Sequence, residues 1–281
     1  REKNMKTIAL IGTRGFLSDY SGIEIQIRSV LPRLTRENFR FRIYCRRKPR
    51  ARSTCQNYIP DNIDLCFLPT IRSKHLETFV HSFLASLHLL LHPADAVHYH
   101  AVGPAFFSFM PRLFRIKVLT TVHALDWQRK KWNRVAQIFL RLCERIAIQC
   151  SHTVLVVSRH HREYLQKKYD IAPVYVPNGI ETSNIDMSAS INDSGFLLYV
   201  GRITPEKNLD LLLRAFKTIQ SDVRLYIAGT HSFCGAYYRE LMTFATPGVV
   251  FTGHIPHSRL AGYYNNALCT VLPSEVEGCP L

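Results

Sequence analysis

Short apolar runs alternate with longer amphipathic segments along the whole chain. Residues 153–157 (TVLVV), for example, carry a β-branched or aliphatic side chain at every position, which is typical of a strand buried on both faces of a parallel sheet. Between such runs, apolar residues recur at helical spacing and polar turns bound each segment. This alternation predicts an α/β protein whose parallel strands are connected by crossover helices.

The pattern predicts two such units separated by a polar stretch. In the first unit, the predicted strands are 7–11, 41–45, 63–68, 96–100, 117–122, 153–157 and 173–176, and the predicted helices are 23–34, 75–91, 104–114, 134–150 and 159–169. The second has strands 196–200, 224–228, 249–251 and 269–272 with helices 209–219, 236–244 and 257–266. We therefore expect a Rossmann-like N-terminal domain over 1–177, a linker over 178–194 and a partial, Rossmann-like C-terminal domain over 195–281.

Composition excludes a disordered chain and identifies a charge asymmetry. The 281 residues are 47% hydrophobic and 20% charged, with a formal net charge of +15, which is typical of a folded protein. Residues 1–177 hold 29 Lys and Arg against 12 Asp and Glu, whereas 178–281 hold 7 against 9. An excess confined to the first half predicts an anionic partner there, such as a membrane surface, a phosphate-bearing ligand or nucleic acid.

Much of this charge lies in one segment, residues 40–52, which we call the basic stretch. Its cationic residues are Arg40, Arg42, Arg46, Arg47, Lys48, Arg50 and Arg52. A solvated loop after a strand and an anion-binding surface remain equally open for it. We expect no nucleic-acid partner, because aromatic residues are not interleaved with the stretch and no recognition motif is present.

The cysteines and the most apolar segments bear on location. Eight cysteines form no CxxC pair and several lie within apolar runs, which favours buried free thiols in a reducing compartment. No secretory signal is recognisable at the N-terminus, and the apolar windows 78–91 and 101–114 are too short and too interrupted to span a bilayer. We expect a cytoplasmic protein, with peripheral attachment to the inner face of the plasma membrane left open.

Chemistry is expected just after the strands, because ligands bind at the carboxyl ends of parallel sheets. After the first strand come Gly12-Thr13-Arg14-Gly15 and then Gly22-Ile23-Glu24 at the start of a helix. Glycines at a strand-to-helix turn let backbone amides approach a phosphate at the positive end of the helix. A turn without a ligand remains the alternative.

The fifth strand is followed by His123, with Asp126 three residues later. A histidine at the end of a parallel strand can orient a polyhydroxylated ligand or carry a proton near neutral pH. On position alone, a histidine that merely caps the strand is slightly favoured.

Two further strand ends carry charge in the second unit. Arg202 and Lys207 lie five residues apart across a turn, so both cationic groups can converge on one diphosphate. Glu277 and Gly278 follow the last strand, where a carboxylate can accept hydrogen bonds from sugar hydroxyls, although a lone acidic turn is usually solvated.

Two histidine pairs have spacings compatible with a metal. His88 and His92 are four residues apart on a helix, and His98 and His100 share one face of a strand. No carboxylate or cysteine completes either set, so we expect helix-surface and strand-end histidines and no metal site.

Together these motifs resemble the GT-B glycosyltransferases, specifically the large retaining family 4, and the N-terminal unit is similar to its rhamnosyltransferase-type subgroup. The resemblance covers nearly the whole chain and is carried by residues 12–15 with 22–24, 123–132, 177–180, 201–202 with 206–208, 228–229, and 273–274 with 277–278. It implies two Rossmann-like domains facing a cleft, and transfer of a sugar from a nucleotide diphosphate sugar to a glycan or lipid-linked glycan hydroxyl, with retention and without a cofactor or metal.

The resemblance also implies roles for individual residues. Arg202 and Lys207 would stabilise the leaving diphosphate, His123 would bind the donor sugar at the reacting centre, and Glu277 would hold its hydroxyls. Further donor-binding residues would be Gly12, Arg14, Gly15, Gly22, Asn178, Gly201 and Gly278. On the acceptor side would lie Glu24, Asp126, Trp127 and Arg129.

The chain departs from the family pattern at three points. Ser21 and Ala124 stand where the subgroup usually has glycine, and a second glutamate expected eight positions after Glu277 falls beyond Leu281. We therefore expect either a fragment of a longer enzyme or a truncated form with an incomplete donor site and little activity. The hypotheses left open are a sugar-transferring enzyme, a non-catalytic remnant that binds a partner or a membrane, and, least favoured, a nucleic-acid binder.

Overall fold

The structure is a computed structural model of the chain. The structure describes residues 5–16, 22–34, 38–46, 59–71, 73, 76–129, 132–179, 195–219, 222–231, 235–275 and 277–280, apart from the side chains of residues 257 and 258. Tertiary contacts divide the chain into two compact units. The first comprises residues 1–128, 132–180 and 278–281, and the second comprises 129–131 and 181–277. Most of the predicted linker, residues 180–194, lies outside the described residues.

The first unit is a parallel sheet covered by helices. Its elements are β1 (Lys6–Ile11), α1 (Gly22–Leu34), β2 (Phe39–Arg46), β3 (Ile63–Leu68), α2 (Glu77–Leu91), β4 (Ala96–His100), a 3₁₀ turn (Pro104–Ser108), α3 (Phe109–Leu113), β5 (Lys117–Val122), a second 3₁₀ turn (Asp126–Gln128), α4 (Arg134–Cys150), β6 (Thr153–Val156), α5 (Arg159–Tyr169) and β7 (Val174–Tyr175). The seven described strands run parallel in the order β3-β2-β1-β4-β5-β6-β7. The strand order reverses between β1 and β4, which is where such sheets bind ligands.

The second unit repeats this plan on a smaller scale. It contains β8 (Phe196–Val200), a 3₁₀ turn (Pro205–Lys207), α6 (Leu209–Lys217), β9 (Leu225–Ala228), α7 (Gly235–Phe244), β10 (Val249–Gly253), α8 (His257–Asn266) and β11 (Ala267–Thr270). The four described strands are parallel in the order β10-β9-β8-β11. The reversal here lies between β8 and β11. The two parallel sheets confirm the predicted α/β class.

The predicted helix 104–114 is two shorter elements instead of one. A 3₁₀ turn ends at Ser108 and α3 begins at Phe109. Pro111 explains the interruption, because proline has no N–H to donate to the carbonyl of Phe107. That carbonyl lies 3.5 Å from the hydroxyl of Tyr99, which donates to it instead.

The basic stretch is not a loop throughout. Arg40, Arg42 and Arg46 lie in β2, and the Arg46 guanidinium donates to the carboxylate of Glu77 at 2.9 Å and to Thr78 Oγ1 at 2.8 Å. The solvated loop, one of the two alternatives left open for the basic stretch, therefore does not apply to these three arginines, since β2 extends from Phe39 to Arg46. Its other cationic residues, 47, 48, 50 and 52, lie outside the described residues.

Among the described helices, none combines the length and apolar character required to cross a bilayer.

Candidate functional site

The turn after β1 requires glycine for steric reasons. Gly12 has φ +105°, and a Cβ built there would lie 2.3 Å from the carbonyl oxygen of His100 at the end of β4. Gly15 has φ +130°, and its Cβ would lie 3.0 Å from Cys45 Sγ. The backbone of this turn therefore packs directly against the ends of both neighbouring strands, at the point where the strand order reverses.

A buried carboxylate holds the same turn from the α1 side. Glu24 is 3% exposed, and its Oε1 accepts a hydrogen bond from the backbone N–H of Arg14 at 2.9 Å. The Arg14 carbonyl in turn accepts from the backbone N–H of Arg46 at 3.2 Å. Glu24, predicted on the acceptor side, thus supports the glycine turn, and Gly22 begins α1 two residues before it.

Three histidines form a polar chain across β4 and the end of β5. His100 Nδ1 lies 3.1 Å from His123 Nε2, and the two rings are stacked. The His98 ring lies 4.2 Å from that of His100, and its Nε2 is 2.7 Å from Thr121 Oγ1. His98 and His100 were expected to be strand-end histidines, and His100 contacts the predicted catalytic histidine directly while His98 packs against His100.

The surroundings keep these histidines uncharged. Burial lowers the pKa of His98 to about 4, and burial with the nearby His98 and His161 lowers the pKa of His123 to about 3. Burial, with the nearby His98 and His123, lowers the pKa of His100 well below its usual range. At neutral pH, His123 is therefore a neutral imidazole. It can form hydrogen bonds, but it is not poised to transfer a proton as a general acid.

The segment after His123 is anchored away from the strand end. Leu125 is fully buried in the apolar cluster between β5, β6, α4 and α5, and Trp127 packs at the edge of that cluster. Trp127 Nε1 donates to Glu144 Oε2 at 2.8 Å, and the Arg141 guanidinium lies 4.6 Å from the centre of the indole ring. Asp126 begins the 3₁₀ turn and is partly buried.

In the second unit, the loops after β8 and β11 meet at the strand-order reversal. Lys207 Nζ donates to Glu277 Oε1 in an ion pair whose side chains are 15% and 25% exposed. Asn208 Nδ2 donates to the carbonyl of Pro273 at 3.2 Å. Two residues predicted to bind one ligand are therefore in direct contact.

Arg202 lies on the same loop, and its carbonyl accepts from the buried Tyr199 hydroxyl at 2.9 Å. Burial, with a smaller contribution from the negative charge of Glu277, raises the pKa of Tyr199, which keeps this hydroxyl a donor. Convergence of Arg202 and Lys207 on one diphosphate stays a prediction. Arg129 belongs to the second unit, where its guanidinium lies 3.9 Å from the carboxylate of Glu206.

The two loops also carry hydroxyl groups that have no protein partner. The Oγ1 of Thr204, after β8, and the Oγ of Ser274, after β11, are buried atoms with no hydrogen-bond partner in the described part of the chain. Buried hydroxyls are normally paired. Their location at the strand-order reversal favours a polar ligand as the missing partner.

The ends of β8 and β9 approach each other closely. A Cβ at Gly229 would lie 1.8 Å from the carbonyl oxygen of Gly201. The backbones are also paired directly, since Gly201 N–H donates to the Ala228 carbonyl at 2.9 Å.

Residues 278–280 pack within the first unit. A Cβ at Gly278 would lie 1.9 Å from the His123 carbonyl oxygen, and Asn178 Nδ2 donates to the Cys279 carbonyl at 2.7 Å. The predicted residues Asn178, Gly278 and His123 therefore share one region of that unit.

Sequence reasoning missed Glu144, although a signal was present. Glu144 lies with Cys143, Ala147 and Ile148 on the buried face of α4. A carboxylate on an apolar helical stripe indicates a buried polar partner, because charged side chains are almost never fully buried without one. The unpaired hydroxyls of Thr204 and Ser274 gave no comparable signal.

Comparison with known families gives two matches that together extend over residues 20–281. The family described as Glycosyltransferase Family 4 matches residues 20–184, and that described as Glycosyl transferases group 1 matches residues 182–281.

Two curated relatives are bacterial. An uncharacterized glycosyltransferase of Bacillus subtilis, YqgM, is 30% identical over 70% of this chain and 57% of its own length. The lipopolysaccharide 1,2-N-acetylglucosaminetransferase of Salmonella typhimurium is 29% identical over 44% of this chain and 38% of its own length. The chain thus spans well under two thirds of these relatives.

Two solved structures share the fold. Sucrose-phosphate synthase of Thermosynechococcus elongatus superposes with a TM-score of 0.81 at 21% identity, covering 98% of this chain and 77% of that one. HepE of Anabaena, solved in complex with UDP, gives a TM-score of 0.63 at 12% identity, covering 96% of this chain and 74% of that one.

Proposed function

Because the chain belongs to glycosyltransferase family 4 and has the GT-B fold, we propose that it transfers a sugar from a nucleotide diphosphate sugar to a hydroxyl of a glycan or lipid-linked glycan. The observation that carries this proposal is the contact between Lys207 and Glu277 where the strand order of the second sheet reverses. A cation for phosphate and a carboxylate for sugar hydroxyls are the two groups that such a donor requires.

The Lys207–Glu277 pair and its surroundings account for how the leaving diphosphate would be stabilised. As the bond from the anomeric carbon to the diphosphate breaks, negative charge grows on the leaving group, and fixed cations stabilise it most in a partly desolvated site. Lys207 is mostly buried and preorganised by Glu277. Together with Arg202, it supplies the charge that a metal supplies elsewhere, so we propose transfer without a bound metal.

The hydroxyls of Thr204 and Ser274 extend the same donor site. Both atoms are buried and have no hydrogen-bond partner among the residues that the structure describes, and a bound phosphate or sugar would satisfy them. The complex of HepE with UDP and the N-acetylglucosamine transfer named for the Salmonella relative favour a nucleotide donor and a glycan acceptor.

In the first unit, His123 would act as a hydrogen-bonding group toward the donor sugar. Burial, which lowers its pKa to about 3, makes general-acid chemistry at neutral pH unfavourable for it. The turn at Gly12 and Gly15, with Arg14 held by Glu24, would present backbone amides to the phosphates. Retention at the anomeric carbon and a rhamnosyltransferase-like specificity are parts of the proposal that rest on the family resemblance.

The test is transfer from labelled nucleotide sugars by the complete natural chain. A panel that varies the base and the sugar is incubated with glycan and lipid-linked acceptors in EDTA, and product formation and nucleoside diphosphate release are both measured. We expect one donor to be consumed in step with acceptor glycosylation, and the anomeric configuration of the product to match that of the donor. Failure of every donor, or strict dependence on added metal, would contradict the proposal.

We further propose an anionic bilayer as the partner of the first unit. Exposed apolar side chains line α2, α3 and α4, which pack side by side, and the most exposed are Leu91, Leu113, Phe114, Val135 and Ile138. No acidic residue occurs between Ala96 and Leu125, and Arg115 and Lys117, which follow α3 in this stretch, are exposed. An apolar face with a cationic rim matches the chemistry of an anionic interface.

This part of the proposal is tested by vesicle sedimentation. Each buried aromatic or aliphatic side chain is worth about 1.5 to 3 kcal/mol, and each basic residue near anionic lipid about 1 kcal/mol. We expect L113Q/F114Q and R115Q/K117Q each to weaken binding to phosphatidylglycerol vesicles by at least about tenfold. The exposed Leu211 and Lys217 of the second unit provide the matched control L211Q/K217Q. Equal vesicle binding by all three variants would exclude this surface as the membrane contact. Wild-type binding that does not change with salt concentration would exclude it as well.

A further inference from the structure

The buried carboxylate of Glu144 accepts hydrogen bonds from four side chains. Its side chain is 0% exposed. Besides Trp127 on Oε2, its Oε1 accepts from Tyr169 Oη at 2.7 Å, Lys168 Nζ at 2.8 Å and Tyr164 Oη at 3.0 Å. Three of these donors come from α5, and only the Trp127 indole comes from the segment after β5.

The electrostatics of the cluster keep its donors protonated. Burial lowers the pKa of Lys168, but hydrogen bonds to Glu144 and Tyr164 outweigh it and raise the pKa overall. Burial and the bond to Glu144 raise the pKa of Tyr169 to about 12. Lysine and tyrosine therefore keep their protons, and every partner of the carboxylate remains a donor at neutral pH.

Only the carboxylate of this ion pair is fully buried, since the Lys168 side chain is 37% exposed and that of Glu144 is 0% exposed. Burying a carboxylate is costly unless hydrogen bonds satisfy it, and here those bonds tie it to donors from two segments in one arrangement. Here the geometry that is fixed includes Trp127, four residues after His123. Between them, Leu125 is fully buried, and its carbonyl accepts from Gln128 N–H at 2.9 Å.

We propose that Glu144 is a positioning residue, which through the indole N–H of Trp127 holds the segment 123–129 at the end of β5 in the conformation used for sugar transfer. This inference rests on the proposed function. Glu144 itself touches neither donor nor acceptor. Trp127, whose N–H is directed to Glu144 and whose ring lies beside Arg141, serves as the anchor of the segment.

If Glu144 only stabilised the fold, loss of any one donor would lower activity in proportion to the stability lost. Variants of the α5 donors are therefore the controls for a variant of Trp127. W127F keeps an aromatic ring but removes the N–H that donates to Glu144. Y169F removes one α5 donor to the same carboxylate and leaves the Trp127 bond in place. K168M also leaves that bond, but it removes an ammonium that lies 5.8 Å from the centre of the Trp127 ring, so it is a control for activity and not for quenching. We expect all three variants to weaken the cluster and only W127F to release the segment after β5.

The first measurement needs no substrate. Tryptophan occurs only at positions 127 and 132, so a W132F background reports Trp127 alone. We expect acrylamide quenching of Trp127 to rise at least about twofold in E144A, because the ring loses its anchor, and to stay near wild type in Y169F. Unchanged quenching in a folded E144A protein, or an equal rise in Y169F, would overturn the anchoring.

The second measurement is the transfer reaction of the complete natural chain. We expect W127F to lower kcat/KM by at least about tenfold, as misplacement of a positioned group does, whereas Y169F and K168M remain within about threefold even where their Tm falls. The double variant W127F/E144A should be no worse than the poorer single variant, because both act through one contact.

The two measurements separate the inference from the function on which it rests. If quenching changes as expected but the wild type transfers no sugar, the proposed function is contradicted, whereas the anchoring of Trp127 by Glu144 is supported. Transfer losses that follow Tm equally in all variants would overturn the positioning role. If E144A does not fold, E144M, which fills a similar volume without an acceptor oxygen, replaces it in both measurements.

Discussion

Replacing Gly229 by alanine tests whether the close approach of the ends of β8 and β9, beneath the proposed donor site, leaves room for a methyl group. The new Cβ would lie 1.8 Å from the Gly201 carbonyl oxygen, which is far inside the ordinary carbon–oxygen contact distance. The ends of β8 and β9 would have to separate, and the bond from Gly201 N–H to the Ala228 carbonyl would weaken or break.

The cost can be estimated from these contacts. Forcing an extra methyl into a packed position costs about 1 to 3 kcal/mol, and a lost backbone hydrogen bond adds about 0.5 to 1.5 kcal/mol. We therefore expect G229A to destabilise the second unit by roughly 2 to 4 kcal/mol. The matched control is Gly253, which has φ +72° but no atom within 4 Å of a built Cβ. G253A should cost about 1 to 2 kcal/mol, from backbone strain alone.

Hydrogen exchange of peptides covering β8 and β9 measures the difference. A loss of 2 to 4 kcal/mol corresponds to exchange about 30- to 1,000-fold faster in both strands, and nucleotide sugar binding should weaken with it. If G229A exchanges no faster than G253A, the close approach of Gly201 and Gly229 does not constrain this site and the reasoning is refuted.

Two further predictions concern the first unit. Burial lowers the pKa of His98 to about 4, whereas unfolded histidine titrates near 6.5. The folded state therefore loses stability as pH falls from about 6.5 towards 4. H98N should reduce that loss in urea titrations at pH 7 and pH 5, and an unchanged pH dependence would contradict the assignment. E24A should destabilise the first unit by about 1 to 3 kcal/mol, because Arg14 N–H loses its acceptor. E24Q keeps an acceptor oxygen and should recover most of the Tm, and equal Tm values for the two variants would count against this role.

The fold followed from the sequence where local pattern and tertiary context agree. Strands 63–68, 96–100 and 117–122 and helix 134–150 have the predicted limits, because each is bounded by turn residues and buried on the expected faces. The predicted strand 269–272 instead spans Ala267–Thr270. Helix α8 ends at Asn266 and the strand begins at the next residue, so no turn residue marks the boundary.

The site was predictable only in part. Lys207 and Glu277 could be paired from their positions after strands one and four of a repeated unit, since such strand ends meet at the reversal of strand order. Glu144 was not predicted, although it lies on the apolar stripe of α4, because Arg141 and Arg145 make the helix resemble a solvated one. The stripe indicates a buried partner but does not identify it, since three of the donors come from α5, some 20 residues further along the chain.

The central claim is that Lys207 and Arg202 stabilise the leaving diphosphate during sugar transfer. Nucleoside diphosphate release by the complete natural chain, measured in EDTA with the donor identified from the panel, tests it most directly. K207A and R202A should each lose about 2 to 4 kcal/mol of transition-state stabilisation, a fall of roughly 30- to 1,000-fold in kcat/KM. K217A, which removes an exposed lysine from α6 of the same unit, should keep the wild-type rate. Wild-type rates in K207A and R202A, or an equal loss in K217A, would contradict the account.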